Sequence, residues 1–143
     1  MAQLVEAGRP CEHSFVTSQG SAYGRFRRAL DTGDAHFALV AAADLEHVGL
    51  ADALELLLLM LESEPARFER AALRWHGRYC REVSDVDLTE AQAVLACLAA
   101  LRGSRPEPAA HALADLVYRR DLARASEVLN SWGATRARKA VRN

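Results

Sequence analysis

The sequence predicts an all-α protein of about six or seven antiparallel helices, built as a helix-pair stack or an irregular bundle, with a flexible N-terminal arm and a basic C-terminal tail. Three observations lead there. From about residue 21 to residue 132, apolar residues recur at steps of three and four, the spacing of one helix face. Ala and Leu, both strong helix formers, make up much of the 50% apolar content. The 8 Gly and 4 Pro lie mostly near the ends of the periodic segments. At 143 residues the chain suits one helical domain over 21–132, with an irregular arm over 1–20 and a basic tail over 133–143. A chain of this length buries roughly two-thirds of its unfolded surface and needs neither metal nor disulfide to fold.

The arm is rich in turn formers, with Gly8, Pro10, Ser14, Thr17, Ser18 and Gly20; Ser14 to Gln19 suits a short strand, though no partner strand is evident. A first helix is expected near Ser21 to Asp31. Thr32, Gly33 and Asp34 form a turn, with Asp34 placed to cap a second helix from Ala35 to about Glu46. Gly49 breaks the chain before a third helix that ends near Glu62. Ser63 is positioned to cap a fourth, Pro65 suits its first turn, and the periodicity carries it to about Ser84. Thr89 with Gln92 reads as a capping box for a fifth helix, which Gly103 stops. Pro106 and Pro108 open a sixth, to about Arg120, and a seventh runs from Leu122 to Trp132 or continues the sixth.

A formal net charge of −1 gives no global field toward nucleic acid or membrane. Lys139 is the only lysine, so arginine abundance fits a GC-rich coding bias as well as a functional choice; arginine position is the informative quantity. Cys11, Cys80 and Cys97 form an odd set without CxxC spacing, which reads as reduced thiols in a cytoplasmic protein. Met1 to Pro10 contains no apolar signal core. The most apolar run, Val48 to Leu61, carries Asp52 and Glu55 and is too short to span a bilayer.

A shift of 38 residues aligns Phe37 with Trp75, Leu45 with Val83, Leu50 with Leu88, Asp52 with Glu90 and Leu57 with Leu95. That period belongs to helix-pair repeats. With the Thr32-Gly33-Asp34 turn between two short helices, the chain resembles α-helical repeat proteins of the tetratricopeptide and HEAT kinds over roughly Ala22 to Trp132. The resemblance implies a stack of antiparallel helices presenting a binding surface. The tetratricopeptide pattern of residues at fixed offsets is absent, so no binding residues carry over, and a plain irregular bundle is the alternative.

The sharpest functional feature lies on the fourth helix. Arg67, Arg70, Arg74, Arg78 and Arg81 fall within an arc of about 80°. Phe68, Ala72, Trp75, Tyr79 and Val83 occupy another face. Trp75 and Tyr79 are residue types favoured as interface anchors, but their spacing with Phe68 fits a core stripe better. Arginine forks bind carboxylates and phosphates, so the face suits an acidic protein surface or a nucleic-acid backbone. The competing reading is internal: Asp52, Glu55 and Glu62 cluster on the preceding helix and are placed to neutralise part of the face.

Chemistry is poorly supported. No hydrolase elbow, Walker loop, dinucleotide fingerprint or HExxH occurs. His76 and Cys80 have a two-ligand helical spacing, with Cys11 and His13 as conceivable further ligands, yet Cys11-Glu12-His13 is not a closed-site spacing. The expectation is therefore no metal, no cofactor, no catalytic residues, no small-molecule substrate and no membrane partner. The sequence reads as a cytoplasmic, non-enzymatic helical module for protein–protein interaction through Arg67, Arg70, Arg74, Arg78 and Arg81. The alternative is a nucleic-acid-binding regulator using that face, Arg25, Arg27 and Arg28, or the tail with Arg136, Arg138, Lys139 and Arg142.

Overall fold

A computed structural model of the chain describes residues 12–143, with side-chain detail from residue 20 onward. The described residues form seven α-helices: α1 (Glu12–Thr32), α2 (Ala35–Ala43), α3 (Leu50–Ser63), α4 (Pro65–Glu82), α5 (Leu88–Ala100), α6 (Pro106–Tyr118) and α7 (Ala123–Arg142). They contain no strand, as the all-α reading expects. Two compact units result, one ending at Glu46 and the other spanning His47–Asn143.

In the first unit α1 packs against α2. The helix α1 reaches back to Glu12, so the stretch expected as a short strand, Ser14 to Gln19, is helical; residues 1–11 of the expected arm lie outside the described residues. Gly33 ends α1 at φ 76°, a conformation glycine adopts without steric cost. Its N–H bonds the Leu30 carbonyl and that of Asp34 bonds Ala29, the paired bonds of a Schellman motif. The Asp34 carboxylate then accepts from the Phe37 N–H at 2.9 Å, which is the expected cap.

The second unit is a closed ring. Helix α3 packs on α4, α4 on α5, α5 on α6, α6 on α7, and α7 returns to α3. Individual contacts fix the directions. Trp75, late in α4, donates to the Leu50 carbonyl at the start of α3. Glu69, early in α4, lies 3.6 Å from Arg102, just past α5. Glu90, early in α5, binds Arg120, just past α6. His111 meets Asn130, and Ala110 meets Gly133, across α6 and α7. Each of these pairs is antiparallel. An odd ring of alternating helices must close on a parallel pair, and α3–α7 is that pair. Asp52 reaches Arg124 near the two starts (2.7 Å), and Glu62 reaches Arg136 further along both (3.5 Å).

The core follows from this arrangement. Helix α3 sends Leu50, Leu54, Leu57, Leu58 and Leu61 into this core from one face, and it also buries Leu56 and Met60. Phe68, Trp75 and Tyr79 of α4 join Val94, Leu98, Leu113, Val117 and Leu129 in one cluster. Positions related by the 38-residue shift share helix starts, Leu50 and Leu88, but not burial. Leu88 is 77% exposed where Leu50 is buried, and Phe37 is 66% exposed where Trp75 is 3%. The core placement of Trp75 therefore rests on the periodicity of its own helix.

Three local expectations are corrected. Ser63 does not cap α4; its hydroxyl donates back to the Leu59 carbonyl, and Glu64 holds the cap position. The cap of α5 is Asp87, whose carboxylate accepts from the Glu90 N–H at 2.8 Å, so Thr89 and Gln92 lie inside the helix. Helix α7 does not stop at Trp132, and the residues read as a tail from Gly133 are helical to Arg142. Gly133 is buried beside Ala110. Packing there outweighs the roughly 1 kcal/mol that glycine costs a helix interior.

Candidate functional site

Helix α4 starts at Pro65, whose missing N–H and fixed φ suit the first helical position. Eighteen residues then hold two strongly different faces. Phe68, Ala72, Trp75 and Tyr79 are buried. Arg67, Arg70, Arg74 and Arg81 are exposed, and Arg78 is half-buried.

The acids of α3 do not neutralise this face. Asp52 and Glu55 lie 2.7 and 3.6 Å from Arg124, and Glu62 lies 3.5 Å from Arg136. All three are drawn to α7 because the ring sets α7 along that side of α3. Two of the five arginines find partners close by in the chain. Arg67 pairs with Glu64 at 2.7 Å. Arg78 pairs with Glu82 at 2.7 Å and donates a second bond to the Val48 carbonyl, also at 2.7 Å, tying α4 to the segment before α3. The Arg78 hydrogen bond holds the Glu82 carboxyl below the ordinary carboxylate range. Arg70, Arg74 and Arg81 have no ion pair among the described residues.

Two further residues share their surface. Leu73 is 55% exposed. Gly77 lies in mid-helix with nothing within 4 Å of where a Cβ would sit. Arg70, Leu73, Arg74, Gly77 and Arg81 span an arc of about 100°. The result is a stripe with three cations, one apolar side chain and one bare stretch of backbone. Glycine here costs helix stability and meets no steric need of the fold itself.

Of the residues considered for metal binding, His76 and Cys80 have described side chains. His76 Nε2 lies 2.8 Å from the Ala91 carbonyl, which can only accept, so Nε2 carries its proton and is not a free ligand in this arrangement. Cys80 Sγ is 3.7 Å from the same nitrogen. No group of three or more His, Cys, Asp or Glu side chains suited to a metal ion occurs among the described residues. Cys11 and the His13 side chain lie outside what the structure describes.

Sequence reasoning missed one polar cluster. Tyr79 donates to Glu90 at 2.7 Å, and Arg120 forks onto both Glu90 oxygens while donating to the Ser84 and Asp85 carbonyls. Burial, helped by the bond to Glu90, pushes the Tyr79 phenol well above its ordinary value. The Arg120 guanidinium holds Glu90 below the usual carboxylate range. The cluster staples α4, the α4–α5 turn, α5 and the end of α6. Its donors and acceptors match one another, which marks a structural clamp. The one available signal was register: Asp52 and Glu90 are the third residues of α3 and α5, and each takes an arginine from later in the chain.

Comparison with protein-family models, with curated proteins and with solved structures finds no match. Among the described residues no helix is long and apolar enough to cross a membrane.

Proposed function

We propose that the protein is a non-enzymatic helical binding module whose α4 stripe takes an acidic protein segment. The observation that carries this reading is the destination of the α3 carboxylates: with Asp52, Glu55 and Glu62 turned to α7, Arg70, Arg74 and Arg81 keep three aligned guanidinium groups without an ion pair among the described residues. Guanidinium forks favour carboxylates bidentately, exposed Leu73 favours a segment with an apolar side chain, and bare Gly77 lets a partner's backbone approach closely. The free thiols Cys80 and Cys97 fit a reducing compartment, and we place the protein in the cytoplasm. Arg78 belongs to the fold on this reading, and Arg67 to the helix start.

The test is an anisotropy titration with a labelled peptide of Glu, Asp and Leu. The double variant Arg70→Glu with Arg74→Glu is expected to bind at least about tenfold more weakly, a change of about 1.4 kcal/mol, with its thermal unfolding preserved. Equal affinity in the folded variant removes the stripe as the site. An oligonucleotide that binds more tightly than the peptide at about 50 mM salt, with a steep loss on adding salt, replaces the reading with nucleic-acid recognition.

Gly77→Ala separates the fold from the surface. A methyl group there enters open space, so the variant is expected to gain about 0.5–1 kcal/mol in urea unfolding. Its peptide affinity is expected to fall, because the close approach is lost. A variant that is stabilised and binds as before shows that the notch has no role in binding.

A further inference from the structure

Among the described residues of the first unit, an apolar surface on α2 stays exposed. Helix α2 reads Ala-His-Phe-Ala-Leu-Val-Ala-Ala-Ala and is apolar around nearly its whole circumference, a composition that belongs to a helix covered on more than one side. It buries Ala35, Ala38 and Ala41, all on one side. Phe37 and Val40 remain 66% and 54% exposed. They line a groove of about 380 Å³ along α1 and α2, together with Ala29, Thr32 and Ala41.

The rim of this groove carries two cations and two anions, Arg25, Arg28, Asp34 and Asp44. Arg25 and Asp44 stand 3.6 Å apart, both more than half exposed. A partner of one charge sign gains nothing from such a rim. A surface with the same mixed pattern, rotated by a two-fold axis, can set each cation opposite an anion. Isologous contacts of this kind are the commonest route to homodimers. Two helical hairpins facing each other also complete a four-helix bundle, in which every apolar helix has neighbours on two sides.

We infer that the α1–α2 groove is a homodimer surface, with Phe37 and Val40 of each copy seated against the groove of the other. The exposed apolar area is small. Phe37 brings about 150–250 Å² at most, so the dimer should be weak, with a midpoint in the micromolar range. Sedimentation velocity of the full chain from about 2 to 200 μM tests it. The expected result is a reversible shift from monomer to dimer. Phe37→Glu, and separately Val40→Glu, should leave a monomer at every concentration, with helical circular dichroism unchanged. Either variant suffices if the other folds poorly. A wild-type protein that stays monomeric to 200 μM overturns the inference. So does a dimer that persists in both folded variants, which would place the contact elsewhere. A monomer whose thermal unfolding falls sharply in Phe37→Glu also overturns it, and assigns the groove to an occupant within the same chain.

Discussion

Trp75→Ala is expected to lower folding stability by about 3–5 kcal/mol, the range for emptying a large buried aromatic site. Trp75 is buried, stacks on Tyr79 with ring centroids 5.5 Å apart, and donates its indole N–H to the Leu50 carbonyl at 2.9 Å. The variant loses packing on both sides of the α3–α4 contact and leaves that carbonyl without its indole donor. Trp75→Phe keeps much of the volume and loses the bond, for which about 1–3 kcal/mol is expected. Urea unfolding followed by circular dichroism measures both. The experiment also decides between two roles for one residue. An interface anchor on the surface could be truncated with a change within about 0.5 kcal/mol. A result that small would return Trp75 to the binding face.

Glu90→Ala is expected to be the second most damaging change. It removes the acceptor of the buried Tyr79 phenol, whose bond to a charged carboxylate alone accounts for about 1.5–3 kcal/mol. It also frees Arg120 from both Glu90 oxygens, loosening the end of α6 from α5. The cluster gives stability a distinct pH signature. The Arg120 hydrogen bond holds Glu90 below the ordinary carboxylate range in the folded protein, so its contribution is present above about pH 4.5 and is lost as pH falls through the depressed folded value. Tyr79 is shifted the other way, so its contribution is full below about pH 10 and declines above it. Glu90→Gln should flatten the acid limb, and Tyr79→Phe should flatten the alkaline one. Unfolding midpoints measured from pH 3 to pH 11 check both signs. Acid and alkaline limbs unchanged in these variants would show that other groups set the pH dependence.

The sequence made the helices legible wherever a local rule acts alone. Asp34 caps α2, Pro65 and Pro106 open α4 and α6, and Gly33 closes α1, because each satisfies or forgoes a backbone bond within a few residues. The amphipathic split of α4 was legible for the same reason, since a 3.6-residue period needs no knowledge of neighbours. Errors fell where distant packing competes with local preference. The polar, basic stretch from Gly133 reads as a tail, yet Gly133 is buried against α6 and the helix continues. Phe37 occupied a core-like position in a repeat register, yet the first unit leaves it exposed.

The five arginines divide along the same line. Sequence alone determined that they share one arc of one helix, opposite Phe68, Trp75 and Tyr79, because helical geometry is a property of the chain. Arg67 and Arg78 pair locally, with Glu64 and Glu82; that the acids of α3 leave Arg70, Arg74 and Arg81 without an ion pair among the described residues was decided by tertiary structure. The ring of five helices closes on a parallel α3–α7 pair, and that closure brings Arg124 and Arg136 to the acids of α3. Sequence spacing had pointed those acids at the next helix. Ion pairs form between the nearest charges in space, and proximity across a closed ring is set by its topology, which no local spacing encodes.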